Sequence, residues 1–207
     1  MKVTTFGLDL AKSVFQLHWV DTATGEVCRR RLRREQVLPF FANREPAVVA
    51  MEACGSAHYW GRQVRALGHE VKLIAAQLVR PFVPTNKTDA ADARAIWEAV
   101  QRPQMRFVAL KDEGQQSVLA LHRMREQLVK ARTMQSNQLR GLLYEFGVVL
   151  PVGRERALLA LPDKLEQLAS RLPAMLLTTL ERQQARLAEL TKDIVAIELQ
   201  LKGWAKT

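Results

Sequence analysis

Ala47-Val48-Val49-Ala50-Met51-Glu52-Ala53-Cys54-Gly55 is a short, nearly continuous apolar run that ends in an acid and a glycine. Such a run, too short for a helix core and without alternation, is the mark of a strand buried on both faces. Strands of that kind need helices above and below them, so the run points to an α/β sheet. Glu70 to Ala75 is a second run of the same kind. Between the two, Ser56 to Leu67 reads as a helix with Gly68 at its C-terminal cap.

Upstream of the run the pattern differs. Lys2–Leu10 and Val14–Asp21 are apolar and β-branched, and Glu26–Arg34 alternates less cleanly. Thr22-Ala23-Thr24-Gly25-Glu26 joins the last two as a hairpin, with glycine late in the loop. Glu35 to Asn43 reads as a short helix. Downstream, Pro81 and Pro84 break the chain before Asn86-Lys87-Thr88-Asp89-Ala90-Ala91-Asp92-Ala93-Arg94 opens an alanine-rich helix. A three-strand meander followed by alternating helices and strands implies a mixed sheet covered on both faces. That order resembles ribonuclease-H-like folds.

Composition changes after about residue 112. Val118, Leu121, Arg125, Leu128, Arg132, Gln135, Leu139, Leu142, Phe146 and Val149 follow a three-four spacing, a long amphipathic helix whose seam is polar in its middle. Residues 150–179 carry three prolines and read as short helices or turns. Leu180, Gln183, Leu187, Leu190, Ile194, Ile197, Leu201 and Trp204 form a second seam. Two such seams support a coiled coil, either as a hairpin within the chain or between chains. The expected organisation is a catalytic domain over 1–111 and a helical coiled-coil region over 112–207, the whole being part of something longer.

The 207 residues carry a net charge of +10, with 48% hydrophobic and 25% charged residues. The balance is globular, and the positive excess calls for a polyanion, nucleic acid or an acidic membrane surface. Cys28 and Cys54 make neither a zinc spacing nor a disulfide framework. Asp9, Lys12 and Gln16 interrupt the first twenty residues, which excludes a signal peptide, and no apolar run reaches a membrane span. A cytoplasmic protein with no membrane partner is expected.

Four acids stand out. Asp9 lies inside the apolar first strand and Glu52 at the end of the buried run. An ionised carboxylate there is costly unless it is paired or binds metal. Asp89 and Asp92 share one helical face. Helix capping explains that pair when it is taken alone. Strand carboxyl ends and helix starts meet at one edge of an α/β sheet, where ligands bind. Four hard oxygen donors there suit Mg²⁺ or Mn²⁺ rather than zinc, and two such ions can clamp a phosphodiester.

Five arginines occupy Arg29, Arg30, Arg31, Arg33 and Arg34. They read either as a phosphate-contacting strip or as an edge strand guarded by charge. Arg123, Arg125, Lys130, Arg132 and Arg140 on the long helix could follow a nucleic-acid backbone, with interhelical salt bridges competing at Arg125 and Arg132. Lys12 and Lys87, close to the acids, could steady a phosphate or simply be solvated.

Gly7-Leu8-Asp9-Leu10-Ala11-Lys12, Met51-Glu52-Ala53-Cys54-Gly55 followed by Tyr59-Trp60, and Lys87-Thr88-Asp89-Ala90-Ala91-Asp92-Ala93 together resemble the DEDD-motif transposases of the insertion sequence one-ten family. Asn137-Gln138-Leu139-Arg140-Gly141-Leu142-Leu143-Tyr144-Glu145-Phe146-Gly147 is similar to that family's segment after the catalytic domain. The resemblance implies a RuvC-like domain in a bacterial cytoplasm. Asp9, Glu52, Asp89 and Asp92 would be its catalytic, metal-holding residues. It also implies DNA strand exchange guided by a structured RNA, within a homo-oligomer (dimer or tetramer) joined through the coiled coil. Family members carry a further C-terminal domain with a nucleophilic serine. Ser13, Ser56, Ser117, Ser136 and Ser170 do not match its surroundings, so none takes that role. Two other functions fit the residues: a stand-alone RuvC-like Mg²⁺-dependent junction nuclease, and a non-enzymatic RNA-binding scaffold.

Overall fold

The computed structural model describes residues 3–83 and 89–205; for Asp89, Ala90 and Arg154 it describes the backbone alone. Met1–Glu113 and Gly114–Thr207 form two compact units.

The first unit is built on a six-stranded sheet in the order β3-β2-β1-β4-β5-β6. Its strands are β1 (Thr5–Asp9), β2 (Val14–Val20), β3 (Val27–Arg33), β4 (Val48–Glu52), β5 (Glu70–Ile74) and β6 (Phe107–Val108). β1, β2 and β3 are the antiparallel meander, and β1, β4 and β5 run parallel. Asp21 shapes the hairpin turn: its Oδ1 accepts the backbone N–H of Ala23 at 2.8 Å and of Thr24 at 3.0 Å. Those two donors hold its carboxyl below the usual aspartate range.

Side-chain alternation splits the sheet into two faces. Phe6, Leu8, Phe15, Leu17, Leu32, Val49, Met51 and Leu73 bury one face beneath α1 (Val37–Ala42) and α2 (Ala57–Ala66). Each large apolar side chain buried this way contributes about 1.5–3 kcal/mol of transfer free energy. The other face buries Ala50 and Ile74 against Ala95, Ile96 and Ala99 of α4 (Asp89–Val100) and Val79 of α3 (Ala76–Val79). His69 ties the first face together. Its Nδ1 accepts the Ala47 N–H at 3.1 Å and its Nε2 lies 3.0 Å from the Phe41 carbonyl, a set that calls for the Nε2–H tautomer.

The strands and α2 fall where the sequence pattern puts them, and Gly68 ends α2 with φ +90° and a bond from its N–H to the Arg65 carbonyl. β6 and α3 are additions. Two residues of strand and one turn of helix are too short to carry a periodicity.

The second unit consists of α5 (Glu113–Glu145), α6 (Arg154–Leu168) and α7 (Ala174–Trp204). Leu139, Leu143, Leu161, Leu165, Leu168, Leu180 and Leu187 form its core. α5 and α7 run antiparallel within the chain: Arg125 pairs with Glu198, and the Gln135 amide donates to Gln183. The polar middle of the α5 seam is therefore a row of cross-helix polar contacts. α6 departs from the short helices or turns expected for 150–179. Pro162 lies inside it, yet Ala157, Leu161, Leu165 and Leu168 keep one face buried through the proline, and packing of that face overrides the lost backbone bond.

Candidate active site

Asp9 ends β1 and Glu52 ends β4, each one residue beyond the Leu8–Met51 pair of the parallel ladder. Neighbouring strands lie about 4.8 Å apart, so the two backbones stand side by side at the carboxyl edge of the sheet. Leu8 and Met51 point into the first core. Asp9 and Glu52 therefore point the other way, onto the face that Ala50 shares with α4. Both are half-buried.

The direction of α4 comes from two contacts. A Cβ placed on Gly7 would lie 2.3 Å from the Ala93 carbonyl oxygen. One turn further on, the Trp97 indole N–H donates to the Thr5 carbonyl at 3.1 Å. Trp97 and, one turn later, Gln101 line one cavity with Val3 and Thr5, so the helix runs back along β1, toward its start. Its first turn, with Asp92 half-buried, lies toward the Asp9 end. The described part of α4 starts at Asp89. The side chain of Asp89, and Lys87 altogether, lie outside the described residues. Among the described residues no group of three or more acids, histidines or cysteines closes around a common point. What is described is a wall of two carboxylates, with a third on the helix that covers their face. These are hard oxygen donors at the edge of the sheet, and their chemistry fits a divalent cation.

Strand register extends the site sideways. Gln16 pairs with Asp9 and Arg31 pairs with Gln16, so Arg31 shares the carboxylate face about 10 Å from Asp9. In the next row Arg29 pairs with His18 and His18 with Gly7. Arg33 has the same parity, whereas Arg30 takes the opposite face with the buried Leu32. Arg34 follows the strand, its guanidinium 4.9 Å from the Trp60 ring centre. Lys12 is exposed in the β1–β2 turn. On α5, Arg123 is exposed, Lys130 pairs with Glu126 at 2.7 Å, and Arg140 donates to the carbonyls of Leu150, Pro151 and Gly153. Arg140 thus holds the loop before α6. These three side chains belong to the second unit.

His18 is buried beneath α4 with its ring 5.4 Å from Trp97, and its Nδ1 has no hydrogen-bond partner among the described residues. Burial, then Arg29 and Arg94, hold it below the ordinary imidazole value, against a smaller opposite pull from Glu98. His58, at the start of α2, accepts the Lys111 N–H at Nδ1 (3.2 Å) and faces the Lys111 amine and Arg62. Burial, then those two cations, also lower its value. Both imidazoles hold a proton less readily in the fold than in the unfolded chain, so the unfolded chain binds more protons in the window that starts near pH 6.5 and extends downward. Their contribution to stability is complete above that value and is lost as the pH falls. The urea midpoint is expected to be lower at pH 5.5 than at pH 7.5, and His18→Gln should flatten that difference, as read by circular dichroism.

A family model for DEDD transposases of the IS110 type, described as "Transposase", matches residues 6–147. A probable family 20 transposase of Pseudomonas aeruginosa is 47% identical over 204 residues, which cover 98% of this chain and 60% of that protein. The transposase for insertion sequence element IS1328 of Yersinia enterocolitica is 41% identical, over 97% of this chain and 59% of its own length. The transposase for insertion sequence element IS1111A of Coxiella burnetii is 38% identical, over 99% and 56% respectively. The chain thus spans less than two thirds of the length of these relatives. No helix among the described residues is long and apolar enough to cross a membrane. With its matched segment running from the strand before Asp9 to the end of α5, the chain belongs to the DEDD transposase family of IS110-type insertion sequences.

Proposed function

We propose that this chain is the catalytic portion of a DNA transposase that cleaves and exchanges strands with Mg²⁺ or Mn²⁺, guided by a structured RNA and acting as a homo-oligomer. One observation carries the catalytic part: Asp9 and Glu52 stand at adjacent strand ends on one face, with the first turn of α4 at their end of the helix. Asp9, Glu52, Asp92 and Asp89 are the residues that would hold metal. A bound divalent cation supplies charge neutralisation for the oxygens of a phosphodiester under displacement. The chain's own residues would do the rest. Arg31 and Arg29 would draw the backbone to the carboxylate face, and Lys12 would meet it at the rim. RNA guidance and the oligomer are carried by the family resemblance and by the net charge of +10.

Water and a second protein nucleophile are the two ways to complete such a displacement. Incubating the chain with branched DNA and Mg²⁺ separates them. Inertness of the chain alone, with exchange in the full-length transposase, is the expected result. Clean hydrolysis of the branch by the chain would instead make it a junction nuclease. DNA or RNA binding with no metal dependence in either setting would reduce it to a scaffold.

A further inference from the structure

The parity of β3 gives the arginine strand two different surfaces, and one of them faces away from the carboxylates. Leu32 is 3% exposed and packs in the core with Val37 and Phe41 of α1, which fixes the face of its neighbour Arg30. Arg30 and Arg44, the latter in the loop after α1, flank one aromatic ring: their guanidinium carbons lie 5.5 Å and 4.2 Å from the centre of Phe40. Arg44 is also 5.4 Å from the Trp19 ring and 5.7 Å from Phe6. Both arginines are exposed, and no described acid forms an ion pair with either of them. Together with Phe40 and Asn43 they line a groove of about 490 Å³, with Glu35 on its wall.

From this we infer a second nucleic-acid site, specific for an unpaired strand, in the Arg30–Phe40–Arg44 groove on the sheet face opposite the carboxylates. It rests on the reading of the chain as a nucleic-acid enzyme. Aromatic rings place the two cations, and no described acid forms an ion pair with them. A guanidinium set on a ring is planar and weakly hydrated; it stacks a base with its free face and donates to a phosphate with its edge. Duplex bases are already stacked and offer no face to such a platform, whereas unpaired bases do. An acidic peptide would use the charges but leave the planes idle. Because the groove and the carboxylates lie on opposite faces, an unpaired strand and a scissile duplex can be held at the same time.

The test is fluorescence anisotropy on the 207-residue chain with two labelled probes, a 15-nucleotide oligo-dT and a 20-base-pair duplex, across a salt series. Arg30→Ala with Arg44→Ala is expected to weaken oligo-dT binding on the order of tenfold or more, and to reduce the salt slope by about 1.4, about 0.7 for each phosphate contact on a single strand. Duplex binding should stay within about twofold. Arg44→Lys keeps the charge and the fold but loses the plane; it should weaken oligo-dT binding several-fold with the salt slope unchanged. Arg29→Ala with Arg31→Ala, on the carboxylate face, should weaken duplex binding more than oligo-dT binding, the reverse of the groove pair. The inference is overturned if the groove variants bind oligo-dT like the wild type, if they lose duplex binding equally, or if polyglutamate of matched charge competes as well as unlabelled oligo-dT. Asp9→Asn should bind oligo-dT normally, so a failure of the catalytic reading leaves this result standing.

Discussion

Asp9→Asn in the full-length transposase is expected to lower transposition by at least about 10³-fold, with the protein still folded. Asparagine keeps the size and the position at the end of β1, so the half-buried strand end stays filled. What it removes is one of two carboxylates at adjacent strand positions, and with it the charge that a hard cation needs. Losses of this size are usual when a group that stabilises charge in the transition state is removed. Glu52→Gln should behave the same way, and the double variant should be little worse than either single one, because the two act as a unit. A cellular transposition assay beside a thermal melt reads both halves of the expectation. Near-normal transposition in either single variant would remove these residues from the chemistry.

Gly7→Ala is expected to be the most damaging single-methyl change in the first unit, costing about 2–4 kcal/mol and abolishing transposition as well. The new Cβ would meet the Ala93 carbonyl oxygen at 2.3 Å and the Trp97 nitrogen and Cβ at 2.8 Å. These are helix backbone and its first side-chain carbon, which cannot swing aside, so α4 must lift. Its buried face, Ala93, Ala95, Ile96 and Ala99, would then lose contact with the sheet, and the first turn would move away from Asp9. Gly61→Ala is the matched comparison. There the new atom meets the tip of the Leu110 side chain at 2.6 Å, which can rotate. Denaturant melts should show the Gly7 variant well below the Gly61 variant; equal melts would mean that α4 is not held as close to β1 as described.

Much of this was legible in the sequence, because its signals were local. The apolar run at Ala47–Ala53 marked a strand buried on two faces, and β4 is covered on both sides. The cost of an acid in such a run flagged Asp9 and Glu52. The two-residue period of a strand predicted that the arginines would divide between faces, as they do at Arg30 and Arg31. Long-range facts left no local mark. The role of Gly7 depends on a helix more than eighty residues later, and a glycine within a strand has many other uses. Two helical seams fit a hairpin and an intermolecular pair equally well. In the structure Gln135 meets Gln183, and Arg125 meets Glu198, within one chain. Arg44 lies four residues after Phe40, where the turn that ends α1 continues, but one arginine among many at that spacing drew no notice before its guanidinium was seen over the ring.

The proposed role of the carboxylates at the edge of β1 and β4 is to hold a divalent cation. Isothermal titration of the chain with Mn²⁺ tests it most directly, with wild type, Asp9→Asn and Glu52→Gln side by side. Saturable binding by the wild type, weakened at least about tenfold in each variant, is expected. Mn²⁺ binding of equal strength in all three proteins, or none in the wild type, would contradict it.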